Sequence, residues 1–179
     1  TSFKPQALSN IVWAYATANE QHMELFNKIG DEIVAMNDLK SFKPQNLANT
    51  VWAYATANEQ HPDLFKKVAD EIVAMDEWKS FDSQALSNIA WAYTVANLDA
   101  SSLFDSAFRQ ELLNRQNEFI DENLRQLYQW HLWQTKEKSN DGLPDSFRDK
   151  CKQIFSSADT RSSALQKDVV SELKSIGLH

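Results

Sequence analysis

With 179 residues, 42% of them hydrophobic and 24% charged, the chain can form one packed domain or a short repeat array, and it is too apolar for a disordered tail. Three glycines and four prolines are too few turn formers for a β-rich fold, and a single cysteine, Cys151, excludes an intrachain disulfide. The net charge of −7 argues against bulk attraction to a phosphate backbone, and no apolar run approaches the length of a membrane span.

The elements follow one period. Phe3–Asn19 returns as Phe42–Asn58 and again as Phe81–Asn97, at an offset of 39 residues each time, and Leu25-Phe26 returns as Leu64-Phe65 and Leu103-Phe104. The period predicts an all-α solenoid of helix-turn-helix units: three clear units over 1–118, a degenerate fourth unit and cap over 119–160, and a C-terminal helix over 161–179. First helices are expected at Pro5–Asn19, Pro44–Asn58 and Ser83–Asn97, with Pro5 and Pro44 at the first helical position, where a missing N–H is harmless. Phe3 with Leu8, Phe42 with Leu47 and Phe81 with Leu86 stand at hydrophobic-staple positions. Second helices are expected at Glu24–Met36, Pro62–Met75 and Ser101–Arg115, buried along Leu25, Ile29, Ile33 and Met36. In the last third, helices are expected at Phe119–Lys138, Pro144–Ser156 and Ser162–Ile176, with a turn at Ser139-Asn140-Asp141-Gly142. Thr1-Ser2-Phe3 matches the junctions Lys40-Ser41-Phe42 and Lys79-Ser80-Phe81, so the sequence is expected to be a piece of a longer protein.

At 100° per residue, Leu8, Ile11, Val12 and Tyr15 share one face of the first helix, and Gln6, Asn10, Trp13 and Thr17 share the other. A helix this apolar nearly all round is sandwiched between neighbours. The polar stripe recurs as Gln45, Asn49, Trp52 and Thr56, then as Gln84, Asn88, Trp91 and Val95, with Gln126, Gln129 and Trp133 as its echo. Amides that hydrogen-bond base edges beside indoles that stack on bases would suit single-stranded RNA. A tryptophan at every period also suits repeat packing, so these residues stand as stacking or core. A reader of sequence must vary between units, which singles out Asn46 and Thr50 (Ala7 and Ile11 in the first unit). Lys4 and Lys43 are the candidate phosphate contacts. No glycine-rich phosphate loop, nucleophile elbow or metal-ligand histidine spacing occurs, so no catalytic residue, cofactor or metal is expected.

The phrase Phe-x-Pro-Gln-x-Leu-(Ser/Ala)-Asn-x-x-Trp-Ala-Tyr-Ala at 3–16 and 42–55 resembles the octotricopeptide repeat proteins of algae and other protists. Leu124-Arg125-Gln126-Leu127-Tyr128-Gln129-Trp130, Leu143-Pro144 and the run Ser163–Val170 resemble the lead-in to a RAP domain. The resemblance implies an α-solenoid that binds RNA in a chloroplast or mitochondrion and acts in processing, stability, splicing or translation of transcripts. Against it stands a scaffold for protein partners, which the acidic charge favours, with a peptide or helix on the concave face. Neither reading involves a membrane.

Overall fold

The computed structural model describes residues 4–20, 22–75 and 77–159; the helix expected at Ser162–Ile176 lies outside them. The described residues form eight α-helices: α1 (Pro5–Thr17), α2 (Met23–Ala35), α3 (Pro44–Thr56), α4 (Pro62–Met75), α5 (Ser83–Ala96), α6 (Ser106–Asn114), α7 (Asp121–Leu132) and α8 (Asp145–Asp159). No strand occurs among the described residues.

The first helix of each unit packs on the first helix of the next: α1 on α3, α3 on α5 and α5 on α7. Among the second helices, α2 packs on α4, whereas α6 lies against a 3₁₀ turn at Trp78–Ser80. The core runs continuously through this row, from Leu8 and Val12 through Leu47, Val51 and Tyr54, then Leu86, Ile89 and Tyr93, to Leu124 and Leu127. Phe26 and Phe65 from the second helices meet Tyr54 and Tyr93 edge to face, with ring centroids 5.0 and 5.1 Å apart.

The helix ends explain where the expected bounds differ. Pro5 and Pro44 occupy the first turn as anticipated, and the staple residues Phe42, Leu47, Phe81 and Leu86 are all buried. The first helices stop one to two residues before Asn19, Asn58 and Asn97, which are left-handed, with φ of 55°, 55° and 52°. Asparagine tolerates that region better than other residues with a Cβ, so the same residue ends the helix in every unit. The third second-helix starts at Ser106 rather than Ser101. Ala100 stands where His22 and His61 cap the second helices of the first two units, and the Asp105 carboxylate caps this helix instead by accepting from Phe108 N–H at 2.9 Å.

The expected Phe119–Lys138 helix divides into α7 and a π-helical turn at Trp133–Glu137. There the Trp133 indole donates to Asn97 Oδ1 at 3.0 Å. The last helix, α8, then closes over α7, with Phe147 and Cys151 buried beneath it.

Candidate functional site

On α1 the whole stripe, Gln6, Asn10, Trp13 and Thr17, faces solvent, and the Trp13 indole is 44% exposed. On α3, Gln45 and Thr56 are exposed while Asn49 and Trp52 are half-buried. On α5, Gln84 is exposed, Asn88 is buried and Trp91 is half-buried. The two central positions of the stripe are thus more covered on α3 and α5 than on α1, while its ends, Gln6, Gln45 and Gln84 on one side and Thr17, Thr56 and Val95 on the other, stay exposed throughout.

Contacts between α5 and α7 show how the later rungs are tied. Trp91 Nε1 donates to Gln129 Oε1 at 2.9 Å, and Gln126 Nε2 donates to Asn88 Oδ1 at 3.4 Å. Both pairs are 38 residues apart, so the fourth unit has lost one residue and carries Glu122, Gln126, Gln129 and Trp133 in stripe register. Trp133 is buried at the end of the ladder, with the Lys138 ammonium 5.0 Å from its ring centroid. The Oε1 of Gln126 is buried without a hydrogen-bond partner.

A hollow of ≈ 370 Å³ lies on this face, bounded by Trp13 and Thr17 of α1, Trp52 of α3, Gln84 and Asn88 of α5, and Glu122, Asn123 and Gln126 of α7. Glu118 and the exposed Ile120 complete its rim, and no lysine or arginine lines it. Sequence reasoning missed Glu118, Ile120, Glu122 and Asn123. A 38-residue offset for the last unit would have found Glu122 under Gln84.

Asn46 and Thr50, singled out as readers, are placed elsewhere. Asn46 is 8% exposed and Thr50 is fully buried. The Asn46 side chain accepts from Lys43 N–H at 3.2 Å, which caps the start of α3. Its carbonyl accepts from Ser9 Oγ of α1 at 3.1 Å and from Thr50 Oγ1 at 2.8 Å. Both residues belong to the α1–α3 seam, and burial removes them from a solvent-facing reading surface. Lys4 and Lys43 are exposed and make no ion pair among the described residues.

Elsewhere the chemistry is structural. His22 and His61 cap α2 and α4 through Nδ1, which accepts from Leu25 and Leu64 N–H at 3.3 Å each. Burial pushes the Cys151 thiol up to about 12, which keeps it protonated. Among the described residues no cluster of three histidine, cysteine or acidic side chains is placed to hold a metal ion, and no helix is long and apolar enough to cross a membrane.

Comparison with family models, with curated proteins and with solved structures finds no match. What the site can do is therefore argued from its geometry. It offers flat aromatic surface, amide donors and acceptors, and two carboxylates in one open hollow.

Proposed function

We propose that this chain is an RNA-binding repeat scaffold of the octotricopeptide type, holding single-stranded RNA along its amide and tryptophan stripe in organellar RNA metabolism. The observation that carries this reading is Trp13: an indole left 44% exposed within a rung of exposed amides. An open aromatic face of this kind is what a base needs in order to stack. Gln6 and Asn10 share its helix face, and Gln45 and Gln84 are exposed at the matching positions of α3 and α5. Lys4 and Lys43 supply sparse positive charge at the starts of α1 and α3.

Because the hollow is acidic, binding rests on stacking and amide contacts more than on phosphate neutralisation. Two lysine contacts to a single strand give a slope of roughly −1.4 in log K against log salt. A fluorescence-anisotropy titration of labelled single-stranded RNA pools at low and physiological salt, with duplex RNA as control, tests this. Expected are single-strand preference, that shallow slope, and a loss of about 5- to 150-fold on Trp13→Ala with the fold unchanged. Absence of single-strand binding even at low salt would refute the reading.

One observation favours a second reading. Glu118 and Glu122 line the hollow without a compensating cation, which suits a basic peptide segment as the ligand. Binding of a lysine-rich peptide in the same titration, lost on Glu122→Gln, with RNA inert, would select that alternative.

A further inference from the structure

The seam between the first two hairpins is made by a set of side chains from the second. Tyr54 Oη donates to the carbonyl of Phe26 at 2.6 Å. Lys67 Nζ donates to the carbonyls of Val34, at 2.7 Å, and Met36, capping the end of α2. Glu71 Oε2 accepts from Leu39 N–H at 3.0 Å. The His61 ring lies 3.3 Å from the Asp31 carboxylate and covers Gly30 so closely that a Cβ there would meet His61 Cδ2 at 2.3 Å.

The same side chains stand 39 residues earlier on the outer face of the first hairpin, as Tyr15, Lys28, Glu32 and His22. Among the described residues no further hairpin lies over them: His22, Lys28 and Glu32 are exposed and Tyr15 is half-buried. Lys28, 73% exposed, pairs only with Glu24 of its own helix, whereas its counterpart Lys67 is half-buried. Beside them Leu8, Ile11, Leu25 and Ile29 form an apolar hollow of ≈ 410 Å³, where the second hairpin has Leu47, Thr50, Leu64 and Val68 shut away from solvent. Two of these outer groups already hold the seam arrangement. Tyr15 and His22 meet edge to face with centroids 5.9 Å apart, as Tyr54 and His61 do at 6.1 Å. Both histidines cap the following helix by the same bond.

A neighbouring seam shows how the histidine position selects its partner. Where the second hairpin meets the third, Ala100 replaces histidine and Ala69 replaces glycine. Both line a hollow of ≈ 420 Å³. Histidine is thus matched with glycine, and alanine with alanine.

We propose that the outer face of α1 and α2 is a docking surface for the trailing face of another helical hairpin of this same 39-residue type, one with glycine followed by aspartate where Gly30 and Asp31 stand. Such a hairpin offers the open carbonyls that Tyr15 and Lys28 lack and the backbone N–H that Glu32 lacks. A second copy of the chain does not fit. Its own outer face presents the same side-chain groups rather than these backbone partners, and its other end is closed by α8. The proposal is independent of which ligand the stripe takes.

The test extends the full chain at its start with a copy of residues 1–39, which keeps the repeat register. Thermal unfolding and limited proteolysis are then compared with the unextended chain. The added hairpin is expected to resist protease and to raise the midpoint by on the order of 5 °C. Tyr15→Phe with Lys28→Met should abolish the gain while leaving the unextended chain unchanged. Glycine-to-alanine in the added hairpin should abolish it too, with the gain recovered on His22→Ala when measured against the unextended chain carrying His22→Ala, since that substitution also removes the α2 cap. A protease-sensitive extension with no gain, or a gain indifferent to Tyr15 and Lys28, would overturn the docking proposal. Indifference to the alanine would overturn the glycine requirement. Concentration-dependent dimerisation of the unextended chain that is lost on Lys28→Glu would assign the face to a second copy instead.

Discussion

Gly30 is a position where a single methyl group decides whether two hairpins fit. With His61 packed over it, Gly30→Ala forces either the ring or the helix to shift, and overpacking of this kind lowers stability by roughly 1–3 kcal/mol. Adding His61→Ala should recover that loss only in part, because it relieves the clash but also removes the α4 cap that His61 Nδ1 makes with Leu64 N–H; thermal unfolding of the two single variants and the double variant measures the coupling. A second residue-scale prediction concerns His131. Its Nδ1 accepts from Leu143 N–H at 3.1 Å, and the ring stacks on Tyr128 at 5.8 Å. Burial holds it below the ordinary histidine value, reinforced by Arg148 and opposed in part by Asp145. The folded form is therefore the weaker proton acceptor. Its penalty is absent above an ordinary pKa near 6.5, grows as pH falls through that value, and levels off below the lowered folded value. The midpoint should drop from pH 7 towards pH 5, and this part of the drop should vanish in His131→Gln.

Among the elements, the first helices owe their common stopping point to Asn19, Asn58 and Asn97. Replacing Asn58 by valine puts a β-branched residue into the left-handed region at a cost of roughly 1–2 kcal/mol, while glycine should be tolerated; chemical denaturation of the two variants checks the contrast. Asn46→Ala removes the cap on α3 and should lower stability by roughly 0.5–2 kcal/mol in the same assay. Any loss of ligand binding in that variant has to be read after this effect. The capping role was legible in principle, since Asn46 stands three residues after Lys43 at the start of a helix. It was eclipsed by the argument that variable positions read the ligand. The hairpins themselves were legible because two short helices cannot bury both faces without a neighbour, so an apolar pattern all round at a fixed period has one packing solution. The late start of α6 turned on cap quality, Asp105 against the Ala100 that stands in place of His61, a difference within the unit rather than in its period.

For the whole molecule, three tryptophans at identical repeat positions have unequal surroundings: Trp13 open, Trp52 half-covered, Trp91 hydrogen-bonded to Gln129. Exposure depends on which neighbour lies over a rung and how far it reaches, so the single-sequence pattern points to packing for a tryptophan that returns at every period and keeps stacking as the alternative. Trp52→Ala should consequently lower stability and ligand affinity together, whereas Trp13→Ala should lower affinity alone; paired unfolding and anisotropy measurements separate them. The repeat geometry also bears on kinetics. The hydrogen bonds that join one unit to the next link residues 28 to 38 positions apart, and none among the described residues spans more. Every seam thus closes a loop of about one unit, so the entropy of closure is the same at each step and does not grow with the array. Folding can start at any hairpin and spread to its neighbours, and a longer array of these units gains seams without acquiring a slower search for distant partners.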